Sequence, residues 1–173
     1  MPVDIKGQNP VNITSKIGAG KKKPAPVSIW FAKPSLDEIA QRFKGTLMEN
    51  LGIEITEIGP DYLKGKMPVD HRTVQSFGFL HGGASVALAE TLGSRAANLC
   101  VDLNKHKCVG LEINANHIRS EKSGFVTGIA QPVFIGKSTH VWEIRINNEQ
   151  DQIVCIARHT VAVRDLMPIV KGE

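Results

Sequence analysis

The chain is short of the residues on which several protein classes depend. It has three cysteines, Cys100, Cys108 and Cys155, in 173 residues. They are too few and too scattered for a disulfide framework, and no CxxC pair occurs, so reduced buried thiols are expected. Aromatic residues make up only 5% of the composition, which leaves little for the ring platforms that stack nucleic-acid bases. No run approaches the roughly 18 consecutive apolar residues of a membrane span. The first residues, MPVDIKGQNPVN, have neither the charged start nor the apolar stretch of a secretory signal. No arginine precedes Arg42 and Asp4 is present, which counts against a transit peptide. A cytoplasmic protein with no membrane contact is expected.

Net positive charge is also absent outside one short region. The formal net charge is +4. Within residues 1–27, Lys6, Lys16, Lys21, Lys22 and Lys23 stand against Asp4 alone, so this segment carries the whole excess and the rest of the chain is neutral. A nucleic-acid binder carries its basic stripe on the folded body, so no nucleic-acid partner is expected. Residues 1–27 are polar, interrupted by Pro24 and Pro26, and aperiodic. They read as a disordered extension or tag. GAGKK within them lacks the first glycine, the Ser or Thr and the preceding strand of a phosphate loop.

What is present is one domain, residues 28–173, with 42% hydrophobic residues over the whole chain. SLDE at Ser35–Glu38 has the form of a capping box opening a helix whose apolar face is Leu36, Ile39, Ala40 and Phe43. Strands are expected over Gly52–Ile58 and Tyr62–Val69, joined by a turn at Gly59-Pro60-Asp61. A loop over Asp70–Leu80 leads into a second helix, Gly82–Cys100, whose stripe of Val86, Ala89, Leu92, Ala96 and Leu99 predicts burial. Four strands follow, over Lys107–Arg119, Phe125–Phe134, Thr139–Asn147 and Ile153–Arg164. In the first of them Val109, Leu111, Ile113 and Ala115 alternate with polar residues. Short connections imply antiparallel pairing. The order helix, two strands, helix, four strands predicts an α+β fold, a curved antiparallel sheet wrapped around the central second helix.

Three kinds of chemistry come into question for these residues. The histidines, at 71, 81, 106, 117, 140 and 159, offer no pair spaced as metal ligands, so no metal site is expected. Ser85 lies in GGASVA, which is not a nucleophile elbow. The third is Glu90, a carboxylate in an apolar helix, with Gly82 and Gly83 at that helix's start. Free backbone amides at a helix N-terminus can polarise a carbonyl. A partly desolvated carboxylate suits nucleophilic or general-base work. The glycines serve a tight turn equally well, and the carboxylate also reads as a solvent-facing or ion-paired group. Eight positions separate Gly82 from Glu90, about 12 Å along a helix. If both are catalytic, they belong to different subunits of a dimer with antiparallel helices.

The segments QSFGFLHGGASVALAETLGS (75–94), VGLEINANHIRS (109–120) and GKSTHVW (136–142) together resemble the hotdog-fold acyl-CoA thioesterases. The likeness is strongest to the branch acting on aromatic acyl-CoAs such as 4-hydroxybenzoyl-CoA and 1,4-dihydroxy-2-naphthoyl-CoA. It spans about Ile29 to Val163. It implies hydrolysis of an aromatic or medium-chain acyl-CoA, without a cofactor, by a homodimer that is usually doubled to a homotetramer. In catalysis it implies Glu90 as nucleophile or base, the Gly82 amide polarising the carbonyl, and Gln75, His81 and Ser94 assisting. For coenzyme A it implies Gly110, His117, Ile118, Arg119, Ser120, Phe134, Ile135, Gly136, Lys137, Ser138 and Thr139. Arg95 and Asn98 depart from the small, apolar or aromatic residues common in relatives near the acyl pocket. The alternatives are a thioesterase acting on acyl-carrier protein and a non-catalytic acyl-CoA-binding regulator.

Overall fold

In a computed structural model of the chain, residues 28–31 and 35–166 are described. The expected extension at 1–27 lies outside them. Two short helices, α1 (Leu36–Gln41) and α2 (Leu47–Asn50), precede strands β1 (Glu54–Ile58) and β2 (Leu63–Pro68). Helix α3 (Gly82–Leu99) follows, then β3 (His106–His117), β4 (Phe125–Ile135), β5 (Thr139–Asn147) and β6 (Ile153–Asp165). The strands form one antiparallel sheet in the order β1-β2-β4-β5-β6-β3. Helix α3 packs against β2 through β6. This is the α+β arrangement expected from the sequence, and the strand boundaries differ from expectation by a residue or two.

Glycine makes the contact of helix and sheet possible. Gly65 on β2 and Gly128 on β4 face each other in register. A Cβ at Gly65 would stand 2.9 Å from Leu92 Cδ2, and one at Gly128 would stand 2.6 Å from Leu92 Cδ1. The fully buried Leu92 therefore sinks into a seat that only a bare backbone pair provides. Around it Leu88, Ala89 and Ala96 meet Leu63, Met67, Val126, Trp142, Ile144 and Val161, all without solvent exposure. Burying a side chain of leucine size contributes about 1.5–3 kcal/mol, so this interface is the main source of stability.

Several local expectations are corrected. Ser35 does stand at the N-cap of α1, but neither a side-chain cap bond nor a closed capping box forms. With only one and a half turns, that helix keeps Ile39 and neighbouring Phe43 buried while Leu36 and Ala40 stay exposed. The periodicity gave no sign of α2. Only one face of α3 is buried: Ala84, Ser85, Leu88, Ala89, Leu92, Gly93, Ala96 and Ala97. The opposite face is covered only in part, so Glu90 is exposed rather than enclosed. In β3 a bulge between Gly110 and Glu112 shifts the pleat by one residue. Ile113 and Ala115 pack on the core, whereas Val109 and Leu111 are 46% and 59% exposed.

Candidate active site

The predicted site residues fall into two constellations at opposite ends of one face. The first surrounds the start of α3. His81 is the N-cap, and its Nδ1 accepts the Gly83 amide at 2.8 Å. The amides of Ala84 and Ser85 donate to the His81 carbonyl at 2.9 and 3.2 Å. That leaves the Gly82 N–H as the first-turn donor with no acceptor among the described residues. It opens on a groove of about 390 Å³ lined by Gln75, Gly82, Ser85, His117, Arg119 and Ser120, together with Ile118 and neighbouring apolar groups. A Cβ at position 82 would stand 2.8 Å from His117 Nε2, so glycine is what lets the imidazole close against the helix end. The loop holding Gln75 is fixed by its own backbone: the Gln75 amide donates to the Phe79 carbonyl at 2.8 Å, and the His81 amide to the Thr73 carbonyl at 2.8 Å. The Gln75 Oε1 accepts the Phe77 amide.

The second constellation lies further along α3. Glu90, Ser94, Arg95 and Asn98 share a groove of about 330 Å³ with Ala87, Thr91, Phe43, Leu47 and Met48. Glu90 enters no ion pair among the described residues. Its Oε1 approaches Gly110 closely, 3.5 Å from where a Cβ would stand. Ser94 Oγ lies 2.9 Å from Nε2 of His159, whose Nδ1 lies 3.1 Å from the Glu112 carbonyl. A carbonyl can only accept, so Nδ1 carries a proton; in the neutral ring Nε2 then accepts the Ser94 hydroxyl. The lone pairs of Ser94 are left toward the groove.

His159 is a participant that sequence reasoning passed over as an ordinary histidine. Its signal was phase: with Ala157 and Val161 it occupies the inward positions of β6. Gly93 leaves room for it, since a Cβ there would stand 3.0 Å from its ring.

The sheet register separates the candidate coenzyme A segments in the same way. Gly110 pairs with Val161, which pairs with His140, which pairs with Ile135. Gly110 and the Phe134–Thr139 hairpin therefore share the Glu90 end. His117 pairs with Cys155, then Ile146, then Gly128, a row about 20 Å away along β3. In that hairpin Phe134 and Ile135 are exposed, and the Gly136 amide donates to the Thr139 carbonyl at 2.9 Å. Within one chain, Gly82, Gln75 and the 117–120 segment do not meet Glu90, Ser94, Gly110 and the 134–139 segment.

A central helix gripped by one curved antiparallel sheet is the architecture of the hotdog class of thioester-processing proteins. Residues 77–155 match the Thioesterase superfamily. The chain is 45% identical over 135 residues to 1,4-dihydroxy-2-naphthoyl-CoA hydrolase of Escherichia coli, covering 78% of this chain and 98% of that one. It is 47% identical over 136 residues to the proofreading thioesterase EntH of Cronobacter turicensis, covering 78% and 98%. Among solved structures, a glutamine-to-alanine variant of thioesterase PA1618 from Pseudomonas aeruginosa superposes with a TM-score of 0.80 at 47% identity, covering 80% of this chain and 100% of that one. The chain belongs to the Thioesterase superfamily, and it is a thioester hydrolase of the hotdog fold.

Proposed function

We propose that this protein hydrolyses an aromatic or medium-chain acyl-CoA to the free acid and CoA in a site shared by two copies of the chain. Glu90 acts as nucleophile or as base toward water, and the Gly82 amide receives the developing oxyanion. The observation that carries this reading is the presence on one helix of a terminal N–H at Gly82 and a carboxylate at Glu90 that are both unpartnered among the described residues. An amide held in place needs no reorganisation as negative charge grows on the thioester oxygen, which is the largest recurrent source of rate in acyl transfer. Water's hydroxyl ends on the acyl carbon and its remaining proton on the departing thiolate. Thiolate leaves readily, so this chemistry calls for no cofactor.

Gln75 stands beside Gly82 as a second donor to the carbonyl, and His81 fixes the turn that aims the amide. Ser94, polarised by His159, accepts a hydrogen bond from the attacking water. Arg119 and Lys137 supply phosphate contacts for coenzyme A. The name of the E. coli relative supports the aromatic class of acyl group. The two constellations come together when two copies pair antiparallel through β3, because its Gly110 end then faces the partner's 117–120 end. Glu90→Gln keeps size and removes the charge; kcat on benzoyl-CoA is expected to fall by about 10²–10⁴, read by release of free thiol. Since Glu90 is exposed, the melting temperature should not move. Turnover near that of the unsubstituted protein would refute the assignment.

A further inference from the structure

Arg95 is a cation that meets no counter-ion among the described residues. Among the described residues no carboxylate comes within 4.0 Å of it. Its Nε is buried with no hydrogen-bond partner. The guanidinium lies 5.7 Å from the centre of the Phe43 ring, and desolvation together with Arg42 pushes its pKa down. Asn98 is turned elsewhere: its Oδ1 accepts the Cys108 amide at 3.2 Å and its Nδ2 donates to the Ser94 carbonyl at 2.8 Å. Leaving a charged donor unmatched and partly dehydrated is costly unless an anion completes it.

Arg95 borders two grooves, one shared with Glu38, Arg42 and Asp102 and the other with Glu90. Arg95 and Glu90 are the charged residues of one groove, otherwise lined by Phe43, Leu47, Met48 and small helix residues. Five positions on a helix put them about 7.5 Å apart along the axis and about 140° apart around it. They therefore flank the groove from opposite walls. An acyl group lying along this groove from a thioester at Glu90 would reach Phe43 and Arg95. The groove's 330 Å³ lies at the small end of the roughly 300–1,000 Å³ of ligand pockets, which suits one ring or a short chain. Accordingly, and resting on the Glu90 reading above, we propose that the acyl group carries an anionic substituent at the end remote from the thioester. Arg95 binds it with a charge-assisted, fork-shaped pair of hydrogen bonds, with Phe43 holding the guanidinium plane.

The test uses two matched thioesters, 4-carboxybenzoyl-CoA and 4-methylbenzoyl-CoA, on the full chain and on Arg95→Met. The unsubstituted protein is expected to favour the carboxylated thioester by about tenfold or more in kcat/KM, and Arg95→Met to remove that preference. A ratio that is unchanged by the substitution, or a preference for the methyl compound in the unsubstituted protein, overturns the inference. Equal losses on both thioesters accompanied by a changed oligomeric state also overturn it, because Arg95 would then be pairing with a partner subunit. If neither thioester is hydrolysed, the aromatic acyl-CoA reading has failed instead. The inert thioethers S-(4-carboxybenzyl)-CoA and S-(4-methylbenzyl)-CoA then decide by calorimetry. Tighter binding of the carboxylated one, lost in Arg95→Met, upholds the subsite, and equal binding sinks it.

Discussion

His159 shows how a single buried polar side chain can serve both stability and chemistry. It is 1% exposed, held by the Glu112 carbonyl on one ring nitrogen and by Ser94 on the other. Replacing it with leucine leaves the Glu112 carbonyl and the Ser94 hydroxyl unmatched, so His159→Leu should cost about 1–3 kcal/mol in urea denaturation. A change within a few tenths of a kcal/mol would mean that water already satisfies both groups. The cysteines carry a separate prediction. Burial pushes Cys100 up to about 12 and Cys108 up to about 11, and raises Cys155 as well. The reactive species is the thiolate, so the folded protein should show no rapid reaction with a disulfide reagent such as DTNB at pH 8. A rapid phase of one thiol per chain would contradict that burial and would also add background to the thiol-release assay.

At the level of elements, Gly65 and Gly128 decide how closely the sheet can approach α3. A Cβ at Gly65 would stand 2.7 Å from the Glu54 carbonyl oxygen, a backbone atom, as well as 2.9 Å from Leu92. Gly65→Ala should therefore cost about 1–3 kcal/mol through overpacking, seen as a lowered melting temperature; an unchanged melt would show that β1 can yield. The strand that carries this glycine was legible in the sequence, expected over Tyr62–Val69. So were the other strands, since long alternating runs with short turns leave few alternatives. The phase of β3 was not legible, because nothing in VGLEINAN marks a bulge after Gly110, and a bulge reverses every inward and outward assignment before it. The capping box failed for a related reason. A side-chain cap depends on rotamers that a motif does not fix, and a six-residue helix gains little from one. The environment of Glu90 was left open between partial desolvation and solvent, because apolar neighbours on α3 do not tell which face one chain covers; in the fold Glu90 is exposed.

For the whole molecule, the uncovered helix face and the uncovered strand edge pose the same problem. β3 is an edge strand of twelve residues with Val109 and Leu111 exposed, and long edges of this kind invite pairing with another chain. The proposed isologous dimer through β3 would bring Gly82, Gln75 and His117 of one copy toward Glu90, Ser94 and Gly110 of the other. That geometry has a consequence that no single-chain site shares. Let one chain carry Glu90→Gln and the other Gly82→Val, whose added side chain collides with the His117 ring, 2.8 Å from the Cβ position. Each homodimer is inactive. In a heterodimer isolated through two different tags, one site combines both lesions, while the other combines an intact Glu90 with an intact Gly82. Thioesterase activity per dimer should return to about half that of the unsubstituted protein, as expected for one working site of two under two-fold symmetry. If Glu90 and Gly82 instead serve the same chain's site, both sites of the heterodimer are broken and no activity returns. That outcome would rule out the shared site while leaving the thioesterase assignment in place.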